Sequence, residues 1–280
     1  MSARRAATLT VVGAGTLLPD PDRGSASFHV RVEAPTTHSI LMDVGSGALH
    51  GLPRAGVDWR AIDTVALTHF HPDHLSDLPA LLAAYRYEEA ATPLTIVGPR
   101  GLQSRLEAMA VLHGPWILAP SRPLTVVELD PGASWTCDDQ GMRLDVHDTP
   151  HTPESVALRL TIPAVDGNDD DLVVGYTGDT GPSDTLPGFL EGCAVLIAEC
   201  ALVDPPELDT HLSPSGVARL AREANPDLLL LSHVYPPQLP HEAVEAVRRF
   251  YPGRVRAAWD GARVRMTPSG VTMDRLDGAP

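Results

Sequence analysis

Short apolar runs bounded by polar residues recur along this chain, and four of them share a local grammar. Ile62–Leu67, Leu172–Tyr176 and Leu228–Leu231 are nearly continuous, and Leu144–Asp148 alternates apolar with polar residues. Runs of this length, rich in β-formers, predict strands. After the first run, apolar residues at 75, 78, 81, 82 and 85 keep helical spacing and predict a helix over residues 75–87. A second helix is predicted over Ser215–Ala221, entered through His211-Leu212-Ser213-Pro214. Strands that run into loops and helices suit an α/β fold, which places ligand sites at the carboxyl ends of its strands.

Each of the four runs delivers metal-competent side chains at its end. The first runs into Thr68-His69-Phe70-His71-Pro72-Asp73-His74-Leu75. Residues two apart in an extended stretch project to one side, so His69 and His71 can close on one ion. Past Pro72 the chain turns and carries Asp73 and His74 towards a second. The other runs lead to His151, to Asp179 in Tyr176-Thr177-Gly178-Asp179, and to His233. A single histidine at a strand end is more often just a hydrogen-bonded residue. Three imidazoles and a carboxylate in one short segment are different, because crowding polar groups without partners is costly. Imidazole nitrogen and carboxylate oxygen suit zinc, manganese or iron alike.

The motif His69-x-His71-x-Asp73-His74, followed by His151, Asp179 and His233, resembles that of the metallo-β-lactamase superfamily over almost the whole chain. The resemblance implies an αββα four-layer sandwich, with two mixed β-sheets flanked by helices, formed by residues 1–280 as a single domain. It implies two divalent metal ions, one held by His69, His71 and His151, the other by Asp73, His74 and His233. Asp179 would bridge them, Asp43 would support the site from behind, and Asp73 would also orient the nucleophile. The opening Val12-Gly13-Ala14-Gly15-Thr16-Leu17-Leu18-Pro19 followed by Arg23–Phe28, the segment from His151 to Arg159, and Glu199 paired with His211 are similar to the ribonuclease Z-like branch. There the extra histidine faces the scissile phosphate and the glutamate orients it. A carboxylate on one imidazole nitrogen fixes the tautomer and raises the pKa, as a proton donor to a leaving oxygen requires. The branch also carries an arm that grips tRNA, between the positions of His151 and Asp179. Here Thr152–Gly178 reads as strand, acidic turn (Asp166–Asp171) and strand, with no room for it.

Composition moves the expectation further from folded RNA. The formal net charge is −15, whereas nucleic-acid binders usually show a basic stripe. No apolar run approaches the ~20 residues of a membrane span, so no membrane partner is expected. Arg4 and Arg5 invite a twin-arginine reading, but no long apolar stretch follows them. Cys137, Cys193 and Cys200 are odd in number and dispersed, which fits a reducing cytoplasm. The Pro-rich Tyr235–Pro240 is expected to shape one lip of the pocket. Tyr85–Tyr87 and Leu112–Trp116 are candidates for the opposite wall and, equally, for core or rim packing.

The function expected is metal-assisted hydrolysis of a small or cyclic phosphodiester, through a hydroxide shared by two dications. Catalytic roles fall to Asp73, His211 and Glu199. The alternatives are a thioester, lactone or sulfate-ester hydrolase, a ribonuclease Z-type tRNA 3′ endonuclease, and a non-catalytic sensor or iron centre. The expected partner is a small-molecule substrate rather than folded tRNA. Related branches dimerise, which extends to this chain the expectation of a homodimer.

Overall fold

A computed structural model describes residues 6–33, 37–88, 92–137, 141–164 and 170–274. Arg4, Arg5 and most of the acidic turn at 166–171 lie outside the described residues. In chain order, β1 (Ala6–Gly13), β2 (Ser27–Glu33), β3 (His38–Met42), β4 (Thr64–Ala66), β5 (Leu94–Pro99) and β6 (Leu124–Leu129) build one sheet. The second sheet comprises β7 (Ser134–Thr136), β8 (Arg143–Asp148), β9 (Val156–Ile162), β10 (Leu172–Tyr176), β11 (Val195–Glu199), β12 (Leu228–Ser232) and β13 (Val255–Ala257). The chain then returns to the first sheet with β14 (Arg263–Thr267) and β15 (Gly270–Met273).

Both sheets are mixed. The first runs β15-β14-β1-β2-β3-β4-β5-β6 and is parallel from β3 to β6. The second runs β13-β12-β11-β10-β9-β8-β7 and is parallel from β10 to β13.

The period of two in the strands makes the layers. Ile40 and Met42 of β3, Val195 and Ile197 of β11, and Leu228 and Leu230 of β12 all enter one core between the sheets. The intervening Leu41 faces a second core, which reaches α1 (Ala48–Arg54), α3 (Leu78–Tyr85) and α4 (Leu102–His113). Leu196, Leu229 and Leu231 face a third, with α6 (Pro214–Ala224) and α7 (Pro240–Arg248). Strands covered on both faces need apolar residues at successive positions, which is why β10, β11 and β12 read as unbroken runs. The result is the expected four-layer αββα sandwich. No helix among the described residues is long and apolar enough to cross a membrane.

The single helix expected over 75–87 is divided. A short α2 (Pro72–Leu75) is followed by α3, with Ser76 and Asp77 between them. Pro79 has no N–H to give to the Leu75 carbonyl, so the ladder cannot continue. The Asp77 carboxylate instead accepts the Leu49 N–H at 2.9 Å. The early start of α2 matters for the site, since it turns Asp73 and His74 inwards, where both are buried.

Asp260 ties the loop after β1 to the sheet. Its two oxygens accept the backbone N–H groups of Ala14 (2.9 Å) and Gly24 (2.7 Å). The Ala14 carbonyl in turn accepts the His233 N–H at 3.2 Å. Burial raises the Asp260 carboxyl to about 6, against the two backbone hydrogen bonds. A carboxyl whose folded pKa lies above its unfolded value adds stability that is complete below the unfolded pKa and is lost as pH rises through the folded one. Asp260→Ala, which strands two donors, is therefore expected to cost about 1–3 kcal/mol. The cost should be larger at acid pH, with the difference between variant and parent shrinking as pH rises through about 6. Denaturant unfolding of both proteins across that range checks it.

Candidate metal centre

The site sits where the parallel strands of both sheets end. Asp43 follows β3, Thr68–His74 follow β4, Asp179 follows β10, Glu199 closes β11 and His233 follows β12. His151 comes from the loop after the antiparallel strand β8. Asp43 and His233 both hold φ of 56°, a left-handed backbone that non-glycine residues adopt at a cost and that is common at functional sites. Gly45 lets α2 come close: a Cβ there would collide with the Asp73 carbonyl oxygen.

All seven expected ligands meet at this edge. His69, His71, His151 and Asp179 form one group whose candidate ligand atoms lie within 4.8 Å of one another, and Asp73, His74 and His233 form another. Asp179 lies between the two. Its Oδ2 is 3.8 Å from His69 Nε2 and 3.7 Å from His151 Nε2. Its Oδ1 is 3.3 Å from His74 Nε2 and 3.7 Å from His233 Nδ1. His151 Nε2 approaches His71 Nδ1 to 3.0 Å, and His233 Nε2 approaches Asp73 Oδ2 to 3.0 Å. His71 is exposed at the mouth, while His69, His74 and Asp179 are buried.

The far nitrogens of His69, His74 and His151 are anchored, which decides which nitrogen each presents to the centre. His74 Nδ1–H donates to Asp43 Oδ2 at 2.7 Å. Asp43 also accepts from the Thr68 amide and hydroxyl at 2.8 Å each and from the Tyr176 hydroxyl at 2.9 Å. The Thr68 hydroxyl, having given its proton to Asp43, accepts from His69 Nδ1 at 3.0 Å. One carboxylate therefore orients a histidine in each group, directly for His74 and through Thr68 for His69. His151 Nδ1–H donates to the Thr210 carbonyl at 3.1 Å. Such outer hydrogen bonds fix tautomer and ring direction in metal sites.

Inside this frame four buried atoms have no hydrogen-bond partner among the described residues: His69 Nε2, His74 Nε2, His233 Nδ1 and Asp179 Oδ1. Leaving buried polar atoms unpaired costs about 1–3 kcal/mol each. All four point into the centre, and a nitrogen and oxygen donor set of this kind fits divalent cations. Burial, helped by the neighbouring imidazoles, holds His69 well below the ordinary histidine pKa, in the neutral form that can ligate. Burial also works against a charged His74, but Asp179 and Asp43 outweigh it and raise its pKa well above the ordinary value. Burial would raise the Asp179 carboxyl, yet His233, His74 and His69 hold it well below the usual range. With Asp43, Asp73 and Asp179 so close together, the centre carries an excess of negative charge that cations would offset.

Glu199 and His211 lie beside the centre as a pair. Glu199 is 1% exposed. Its Oε1 accepts from His211 Nδ1 at 2.8 Å and from the Thr180 N–H at 2.9 Å, and its Oε2 accepts the Ala201 N–H at 3.0 Å. Burial opposes a charged His211, but the Glu199 hydrogen bond and charge prevail and raise its pKa. Its ring centroid is 4.7 Å from that of His151 and 5.9 Å from that of His233. His211 also precedes α6, whose N-cap is Ser213, so its place at a helix entry and its place at the centre coincide.

Two expectations about the walls separate. Tyr235, Pro236 and Pro237 do line a cavity next to His211. Tyr85 does not form a wall: it is fully buried, donates its hydroxyl to the Trp59 carbonyl at 2.8 Å and lies under the Arg122 guanidinium. Thr68, Tyr176 and the Thr210 carbonyl are contributors that the sequence reading did not assign. Tyr176 left a trace, as a polar-tipped residue at the end of an otherwise apolar strand. A backbone carbonyl leaves none.

The beta-lactamase superfamily domain matches residues 38–234. A ribonuclease Z from Mycobacterium sp. (strain KMS) is 28% identical over 286 residues, covering 93% of this chain and 96% of that protein. Among solved structures, the metallo-beta-lactamase fold protein YhfI from Bacillus subtilis superposes with a TM-score of 0.77 at 22% identity, covering 93% of this chain and 100% of its own. The short form of human tRNase Z gives 0.72 at 21% identity, covering 91% and 98%. At these identities the two structures speak to the fold.

Proposed function

The chain belongs to the beta-lactamase superfamily, and on that premise we propose that it is a two-metal hydrolase acting on a small or cyclic phosphodiester. One observation carries the two-metal reading: Asp179 turns one oxygen towards His69 and His151 and the other towards His74 and His233. We assign His69, His71 and His151 to one divalent cation, Asp73, His74 and His233 to the other, and Asp179 to both. Zinc, manganese and iron all suit these donors. When bound, the cations supply Lewis-acid polarisation of the phosphoryl group and a nucleophile available at neutral pH.

The chain's own residues do the rest. Asp73, within the group of His74 and His233, orients the attacking water. His211 gives Nδ1–H to Glu199 and keeps Nε2 for the substrate, where it holds a proton for the departing oxygen. Glu199 fixes that tautomer and favours the protonated ring. The water gives one proton to solvent as its oxygen bonds to phosphorus, the bond from phosphorus to the leaving oxygen breaks, and His211 delivers its proton to that oxygen and is reprotonated from solvent.

A second reading is tRNA 3′ processing, favoured by the similarity to a ribonuclease Z along 93% of the chain. Against it stand the net charge of −15 and the short connection between β9 and β10, residues 163–171, where the resemblance would place a tRNA-gripping arm. A substrate panel separates these readings. On metal-loaded protein, bis(p-nitrophenyl) phosphate is expected to exceed p-nitrophenyl sulfate and an aryl thioester in kcat/KM by about 100-fold or more, a difference of ~2.7 kcal/mol in the barrier. Chelation should abolish the activity and divalent metal should restore it. Faster sulfate or thioester turnover would overturn the phosphodiester reading. Efficient cleavage of precursor tRNA, exceeding that of the small diesters, would establish the second.

A further inference from the structure

Next to the centre lies a cavity of about 420 Å³ whose lining includes Leu202, Val203, Leu208, Tyr235 and Pro236. Val203 is 51% exposed and Leu208 57%. Together they give this cavity an apolar wall open to solvent, of the kind that marks a ligand-binding groove. His211 is shared: it lines the cavity and also stands beside Asp179 and His233. Tyr235 also faces both ways, since its ring lies 5.2 Å from that of His233. A substituent on a phosphorus held at the centre would thus pass His211 directly into this cavity.

The chemistry of the lining selects what can enter. Among the described residues that form it there is no arginine, and Glu207 is its acidic member. Beyond His211, a second phosphate would meet one carboxylate and no arginine. An apolar group would instead leave water for carbon surface. A cavity of roughly 150 Å³ is enough to hold benzene, so this one takes a group of one or two rings.

We propose that this cavity is a specificity subsite for an uncharged, ring-sized apolar group carried on the leaving side of the substrate. The proposal deepens the phosphodiesterase reading and rests on it for the placement of phosphorus. It makes Val203 and Leu208 specificity-determining residues, which sense the substituent while the centre senses the phosphoryl group.

Calorimetric binding of phenylphosphonate and methylphosphonate to the metal-loaded protein tests this without turnover. Phenylphosphonate is expected to bind at least about tenfold more tightly, a margin of ~1.4 kcal/mol. Val203→Asn and Leu208→Asn alter exposed side chains without adding charge, and each should shrink that margin to about threefold or less while leaving methylphosphonate affinity in place. Equal affinities in the parent protein, an unchanged margin in both variants, or failure of both phosphonates to bind would overturn the subsite. The phosphodiesterase reading fails separately. If the phenyl margin is present but the panel above shows preference for sulfate or thioester, the subsite stands and the bond cleaved is a different one.

Discussion

Asp179→Ala is expected to lower phosphodiester turnover by about 10⁴-fold or more, the scale seen when a member of a catalytic unit is lost, while the protein stays folded. Among the described residues this carboxylate faces both sets of imidazoles, and its two contacts are lost together. Its removal also deletes negative charge from beneath His74 and His233, which leaves the centre less able to hold dications. The fold has little reason to fail. The hydrogen bond that Thr149 makes to this residue goes to the backbone carbonyl, which alanine retains. Steady-state kinetics in metal-replete buffer, beside a circular dichroism spectrum, measures both halves. Near-full activity would remove Asp179 from the mechanism, and a collapsed spectrum would assign it to folding instead.

The second large effect belongs to His211. Its removal is expected to reduce kcat by about 10²–10⁴-fold, the usual contribution of a positioned proton donor, with a smaller change in KM. The loss should depend on the leaving group. A p-nitrophenoxide departs with little help, so His211→Ala should cost least there and most with a poor leaving group such as a simple alkoxide. Glu199→Gln should give a milder version of the same pattern, because the amide can still face Nδ1 but no longer favours the charged ring. A loss of equal size across leaving groups would mean that His211 contributes to binding or to metal retention and does not donate the proton.

Much of this candidate centre was legible in the sequence because most of the residues assigned to it follow strand ends. A strand buried on both faces writes an apolar run, and the first polar residues after it stand out. His69, Asp179 and His233 are found in that way, and the dense spacing from His69 to His74 does the rest. The helix expected over 75–87 is divided for a reason of the same kind: apolar periodicity passes through Ser76 and Asp77 without interruption, whereas the hydrogen-bond ladder breaks there, with the Asp77 N–H turned to the Val44 carbonyl and Pro79 without an N–H for Leu75. The tertiary contacts around the ligands had no such signature. Thr68 looks like any strand-end threonine until it is found between Asp43 and His69. The apolar cavity needed the structure as well, since Val203, Leu208 and Tyr235 belong to separate segments and none of them carries a motif.

The most direct test of the two-metal centre is the metal content of the purified chain after reconstitution and removal of free ion, read by elemental mass spectrometry beside that of Asp179→Ala. The arrangement of Asp179 between the two groups calls for about two divalent ions per chain in the parent protein and for a clear loss in the variant. One ion or none in the fully reconstituted parent, or two ions retained in Asp179→Ala, would contradict it.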